Sequence, residues 1–66
     1  MRIHLNGEDR DVPEGLSVAA LLVHLSLSPS RVAIERNLEI LPRSLWEKTQ
    51  LAPGDRLEIV QFVGGG

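Results

Sequence analysis

The chain has 66 residues, 42% of them apolar, and a formal net charge of −2. A chain of this size forms one domain that buries only about 60% of its unfolded surface, so its core is small. It has no cysteine, which excludes disulfides, thiolate metal sites and any persulfide or thiol nucleophile of its own. The slightly acidic balance argues against a nucleic-acid binder, which normally carries a basic excess. The longest apolar run, about seven residues around Val18–Val23, is too short to span a bilayer. Met1-Arg2 leads into an alternating segment rather than an apolar leader, so a cytoplasmic location is expected.

Ile3 and Leu5 alternate with Arg2, His4 and Asn6, the pattern of a half-buried strand. Asn6-Gly7 is a favoured hairpin pair because both residues tolerate positive φ. Arg10 to Val12 is predicted as the short return strand, closed by Pro13-Glu14-Gly15. Glu8, Asp9 and Asp11 are read as a solvated turn. Ser17 is placed to cap a helix, with Leu16 and Leu21 as a hydrophobic staple. Val18, Leu21, Leu22 and Leu25 give that helix one apolar face, and it should run to about Leu25.

Ser26 to Ser30 reads as loop. Val32 and Ile34 alternate with Ala33 and Glu35 in a third strand, and Glu39 to Leu41 reads as a short fourth. Pro42 suits the start of a helical turn through Trp46, the one tryptophan, which should cap the core. Thr49 to Asp55 is loop. Arg56 to Val63 then carries the strongest strand signal in the chain. One helix cannot cover both faces of a sheet, so an α+β fold is expected: a mixed sheet of four to five strands with the helix on one face. The first and last strands should lie at its centre and run parallel.

In the last strand Leu57 and Ile59 share one face and Glu58, Val60 and Phe62 the other. If Leu57 and Ile59 face the helix, Val60 and Phe62 lie open. They form a docking patch, unless the strand bends or a loop covers them, or they are simply isolated surface hydrophobes. Gly64, Gly65 and Gly66 follow, with no side chains to pack and the highest cost of ordering. The expected division is therefore a folded domain over 1–63 and a mobile tail over 64–66 that reaches roughly 10 Å when extended.

The α-carboxylate of Gly66 is the candidate reacting group. Its ordinary pKa is about 3.5, so it is ionised at neutral pH, and without a leaving group it must be activated, most simply as an acyl-adenylate. No GxxxxGK[ST] or GxGxxG pattern occurs, so no ATP site and no cofactor of the chain's own is expected. The ATP chemistry belongs to a partner. His4 and His24 lack zinc spacing, and no metal site is expected. His24 suits the helix C-terminus. Arg36, Glu39 and Arg43 read as surface charges, with Arg43 the best candidate for partner contact.

These residues resemble the ThiS family of thiamine-pathway sulfur carriers along nearly the whole chain. The resemblance is carried by Leu5-Asn6-Gly7-Glu8 and Ser17-Val18-Ala19-Ala20-Leu21-Leu22. Further on it is carried by Val32-Ala33-Ile34-Glu35-Arg36-Asn37 and by Ile40-Leu41-Pro42-Arg43-Ser44 with Trp46. Leu51, Gly54-Asp55, Glu58-Ile59-Val60 and Val63-Gly64-Gly65-Gly66 complete it. It implies a β-grasp, ubiquitin-like fold, and a chain that is a co-substrate of other enzymes rather than an enzyme. On this resemblance a ThiF-like adenylating enzyme uses ATP to form the Gly66 acyl-adenylate. A sulfur donor system then makes the thiocarboxylate, and a ThiG-like thiazole synthase takes its sulfur. Gly64 and Gly65 give access, and Val60, Phe62, Val63 and Arg43 are partner-contact candidates. Leu38 departs from the family pattern, where glycine often follows the asparagine, which puts the local turn geometry in question. A carrier resembling the small subunit of molybdopterin synthase, and a plain β-grasp binding module, are the alternatives.

Overall fold

The tight turn at Asn6 and Gly7, with φ of 49° and 82°, sets the first pairing of the fold. Positive φ at both central residues gives a twist that matches the flanking strands, so pairing begins at once on either side. In the computed structural model, which describes residues 1–62, strand β1 spans Arg2–Leu5 and β2 spans Glu8–Asp11. The return strand thus starts two residues before the expected Arg10 and ends before Val12. Glu8, Asp9 and Asp11, expected in a turn, are ladder residues opposite Leu5, His4 and Arg2. Val12 leaves the strand to enter the core, and its N–H still donates to Met1 C=O at 2.8 Å.

Helix α1 spans Val18–His24, with Leu25 as its C-cap. Seven residues are too few for a helix to persist alone, so its first turn is anchored from outside. Ser17 Oγ accepts from Ala20 N–H at 3.1 Å. Thr49 C=O accepts from Val18 N–H and Trp46 C=O from Ala19 N–H, at 2.9 and 3.0 Å. These bonds satisfy the amides of Val18, Ala19 and Ala20, which the first turn leaves without an intrahelical partner. Two of these acceptors lie in the segment after Pro42, a long-range tie that the local sequence does not announce.

A 3-10 turn at Pro29–Arg31, expected only as loop, leads into β3, Val32–Arg36. Strand β4 is two residues, Glu39–Ile40, one shorter than expected, because Leu41 turns toward the core before Pro42. A second 3-10 turn, Arg43–Leu45, follows with Trp46 as its C-cap. Trp46 is buried against the core, and its indole N–H donates to Leu41 C=O at 2.9 Å.

Strand β5, Arg56–Gln61, closes the sheet in the order β2-β1-β5-β3-β4. It pairs parallel with β1 and antiparallel with β3, so the single central strand is β5. The expected parallel pairing of first and last strands holds. The helix covers one face only. Ile3, Leu5, Val32, Ile34, Leu57 and Ile59 from the sheet meet Val18, Leu21 and Leu22 from the helix, with Trp46, Leu51 and Val12 closing the rim. Among the described residues no helix is long and apolar enough to cross a membrane.

Candidate functional site

The alternation of β5 dictates its two faces. Leu57 and Ile59 are buried under the helix, whereas Val60 is 59% and Phe62 52% exposed on the opposite, uncovered face. Strand register shows what surrounds them. Ala33 lies opposite Val60, and Glu35 lies opposite both Glu58 of β5 and Ile40 of β4. The open face therefore holds an apolar group, Ala33, Val60 and Phe62, beside the exposed Ile40 and two carboxylates placed side by side. Like charges directly opposite in a ladder cost stability, so Glu35 and Glu58 are not there to hold the sheet. Neither pair was visible in the sequence: the register between β3 and β5 joins segments more than twenty residues apart, and only pairing reveals it.

Arg43 stands apart from this face. It belongs to the second 3-10 turn, and its guanidinium sits 5.2 Å from the Trp46 ring centroid, a cation–π contact. Val63, Gly64, Gly65 and Gly66 lie outside the described residues.

The entrance to β5 is built differently. Asp55, just before the strand, is the one buried charged residue among those described, 6% exposed. Its carboxylate accepts from Arg36 Nε at 3.0 Å, Asn37 Nδ2 at 3.3 Å and Ala52 N–H at 2.9 Å. Burial by itself raises the pKa of such an acid; the Ala52 amide and the Arg36 and Asn37 side chains outweigh it and hold Asp55 below the usual carboxylate range. Arg36, expected to be a solvated surface charge, is instead the partner of this buried acid. Asn37 also ties the β3–β4 turn to β5: its N–H donates to Arg56 C=O at 2.7 Å, and its Oδ1 accepts from Arg56 N–H at 3.0 Å. Leu38, next in that turn, is held at φ 72°, a left-handed conformation that suits glycine. The turn keeps its hairpin geometry despite the leucine, because Asn37 and Asp55 clamp it from below.

On the β1 side, Asn6 takes over where the strand ends. Its Oδ1 accepts from Ile59 N–H at 2.7 Å, and its Nδ2 donates to Ile59 C=O at 3.2 Å. The side chain imitates one more residue of β1 beside β5. Sequence marked Asn6 as a turn former, and only the tertiary contact adds this second duty.

Among the described residues no group of His, Asp or Glu could hold a metal ion. His4 contacts Asp9 and Arg2 contacts Asp11, both on the exposed hairpin.

The ThiS family model matches residues 3–66. The sulfur carrier protein ThiS of Bacillus subtilis is 35% identical over 65 residues, covering 97% of this chain and 98% of its own. The thiamine biosynthesis protein ThiS of Geobacter metallireducens, a crystal structure, superimposes with a TM-score of 0.85 at 35% identity, over the whole of both chains. Thiazole synthase of Paramagnetospirillum magneticum contains a stretch 46% identical to all 66 residues, and this chain spans 20% of that protein's length. The β-grasp architecture, the match along the chain and the solved relative agree: the chain belongs to the ThiS family.

Proposed function

We propose that this chain is a sulfur carrier of thiamine biosynthesis, with the sulfur held as a thiocarboxylate on Gly66. One observation carries the reading: the central strand of the sheet, clamped at its entrance by Asp55 and along its length by Asn6, is the last strand before Gly64-Gly65-Gly66 in the sequence. A rigid handle followed by side-chain-free residues is what a narrow active site in another protein can accept. Family membership and the name of the Bacillus relative support the same assignment.

In this scheme the chain is a co-substrate and the ATP is the ligand of a ThiF-like adenylating partner. The Gly66 carboxylate attacks the α-phosphorus of ATP, and pyrophosphate leaves. The resulting acyl-adenylate is attacked at its carbonyl carbon by hydrosulfide released from a donor system, and AMP leaves. The net change on the carrier is one carboxylate oxygen replaced by sulfur. A ThiG-like thiazole synthase then takes the sulfur for the thiazole ring. The likeness between this chain and one-fifth of a thiazole synthase supports that choice of acceptor. Val60 and Phe62, with Ala33 and Ile40, are the contact surface for these cytoplasmic partners. Val63, next in the sequence, is a further contact candidate, and Arg43 contributes from its own turn.

Intact mass spectrometry tests the reading. Incubation with the adenylating enzyme, ATP and a sulfur donor shifts the mass by one oxygen-to-sulfur exchange, located in a C-terminal peptide ending at Gly66. An unchanged mass, or a cellular protein whose peptides continue past Gly66, overturns it. Removing Gly66 abolishes the exchange and leaves the fold intact.

A further inference from the structure

The two outer strands of the sheet are blunted against further pairing. Strand β2 is charged and exposed at every position, and β4 is two residues long and soon followed by Pro42. Among the described residues a further stretch of unpaired backbone lies inside the sheet. Strand β1 pairs with β5 only as far as Leu5 opposite Leu57, because the chain turns away at Asn6 and Gly7. Beyond that point Asn6 satisfies both backbone groups of Ile59. The next residue whose backbone faces this side is Gln61. Gln61 and Val32 are opposed, and Phe62 N–H donates to Arg31 C=O at 2.7 Å, so the N–H and C=O of Gln61 point away from β3. Among the described residues they have no backbone partner.

A groove of about 510 Å³ opens beside this stretch of edge, within the size range of sites that bind small ligands or short segments. Its apolar floor is Leu5, Leu25, Leu27 and Ile59, and Arg10 and His24 stand on its rim. Arg10 has no ion-pair partner among the described residues, whereas Asp11, also on the rim, is already bound to Arg2.

We propose that this notch is a strand-addition site: an extended segment of a partner protein continues the line of β1, bonds the N–H and C=O of Gln61, seats an apolar side chain on Leu25 and Leu27, and places a carboxylate against Arg10. Backbone bonding supplies affinity and the alternate side chains supply specificity, as in other strand additions. The carboxylate is the charge-complementary choice, since Arg10 is the unpaired charge at the rim. The segment bonds β5 at Gln61, a few residues before Gly64 in the sequence, so its docking holds the end of the strand. The inference concerns a protein–protein contact on the helix side of the sheet and stands independently of the sulfur chemistry.

The probe is a short acetylated and amidated peptide alternating valine and threonine with one central glutamate, compared with its glutamate-to-lysine counterpart. Added to the ¹⁵N-labelled full chain, the glutamate peptide shifts the amide signals of Arg10, Leu25, Leu27 and Gln61 and slows exchange of the Gln61 N–H. Gln61→Pro removes that donor without removing a bond to β3, and it weakens binding about fivefold to tenfold. Arg10→Glu, at an exposed position, reverses the preference toward the lysine peptide. Dispersed amide spectra establish that both variants are folded. Four results overturn the proposal: no shifts at millimolar peptide, shifts confined to Val60, Phe62 or the outer strands, equal affinity for the two peptides, and a Gln61 N–H already protected in the free chain, which assigns the notch to the chain's own tail.

Discussion

The two ends of β5 are built on opposite principles. At its entrance every polar group is satisfied from within: Asp55 gathers Arg36, Asn37 and Ala52, and Asn37 bonds both backbone groups of Arg56. Toward its exit the strand bares two hydrophobic side chains on one face and, on one edge, the backbone of Gln61. Satisfied groups make the entrance a fixed point. Unsatisfied surface makes the exit available to other molecules. The difference divides one strand between groups that hold the fold and exposed groups on which the proposed partner contacts rest.

The contrast is broken most severely by removing an apolar side chain from each end. Leu57→Ala empties a fully buried position and costs about 3 kcal/mol, a large part of what so small a domain has; urea unfolding measures it. Phe62→Ala leaves stability within about 0.5 kcal/mol yet slows thiocarboxylate formation by the adenylating partner tenfold or more, the scale of an interface anchor of about 2 kcal/mol.

Asp55→Asn comes next, at about 2 kcal/mol, because Arg36 loses its charged acceptor in a buried setting. It also changes the pH response. The folded-state pKa of Asp55 is depressed, so its contribution is fully present above the unfolded value of about 3.9 and is lost as pH falls through the lower folded value. The natural chain should lose stability across that acidic window, and the gap between it and Asp55→Asn, followed by thermal melts, should close there.

Leu38→Gly relieves the left-handed strain at φ 72° and raises stability by about 1 kcal/mol, less the extra freedom that glycine gains in the unfolded chain. A fall in melting temperature would show that the clamp from Asn37, not the leucine, bears the conformation. Smallest is Glu58→Lys. Replacing one of two opposed carboxylates with an opposite charge beside Glu35 adds a few tenths of a kcal/mol. Partner docking through the open face should weaken at the same time, which would separate the two uses of that surface.

Much of this was legible in the residues. The alternation of Leu57 and Ile59 against Val60 and Phe62 assigned the two faces of β5. Asn6-Gly7 placed the hairpin, and Ser17 placed the helix start. Each depends on interactions spanning a few residues, where side-chain period and positive φ leave a direct trace. The return strand was misplaced by two residues because its own sequence, Glu8-Asp9-Arg10-Asp11, has no apolar alternation; the turn geometry alone extends it. Arg36 was misread for a related reason. A charged residue at the end of a strand looks solvated until the fold brings a buried acid against it.

Sequence by itself determined the helix, the first, third and last strands with their apolar faces, and the glycine stretch on which the proposed chemistry depends, since these follow from periodicity and local conformational cost. Only the tertiary structure decided that β5 is the single central strand, that Asp55 is buried with Arg36, that Asn6 bonds Ile59 across the fold, and that the backbone of Gln61 faces away from β3. Those outcomes depend on which distant segments pair and in what register. Backbone hydrogen bonding is the same for every residue with an N–H and a C=O, so it leaves no residue-specific mark in the chain.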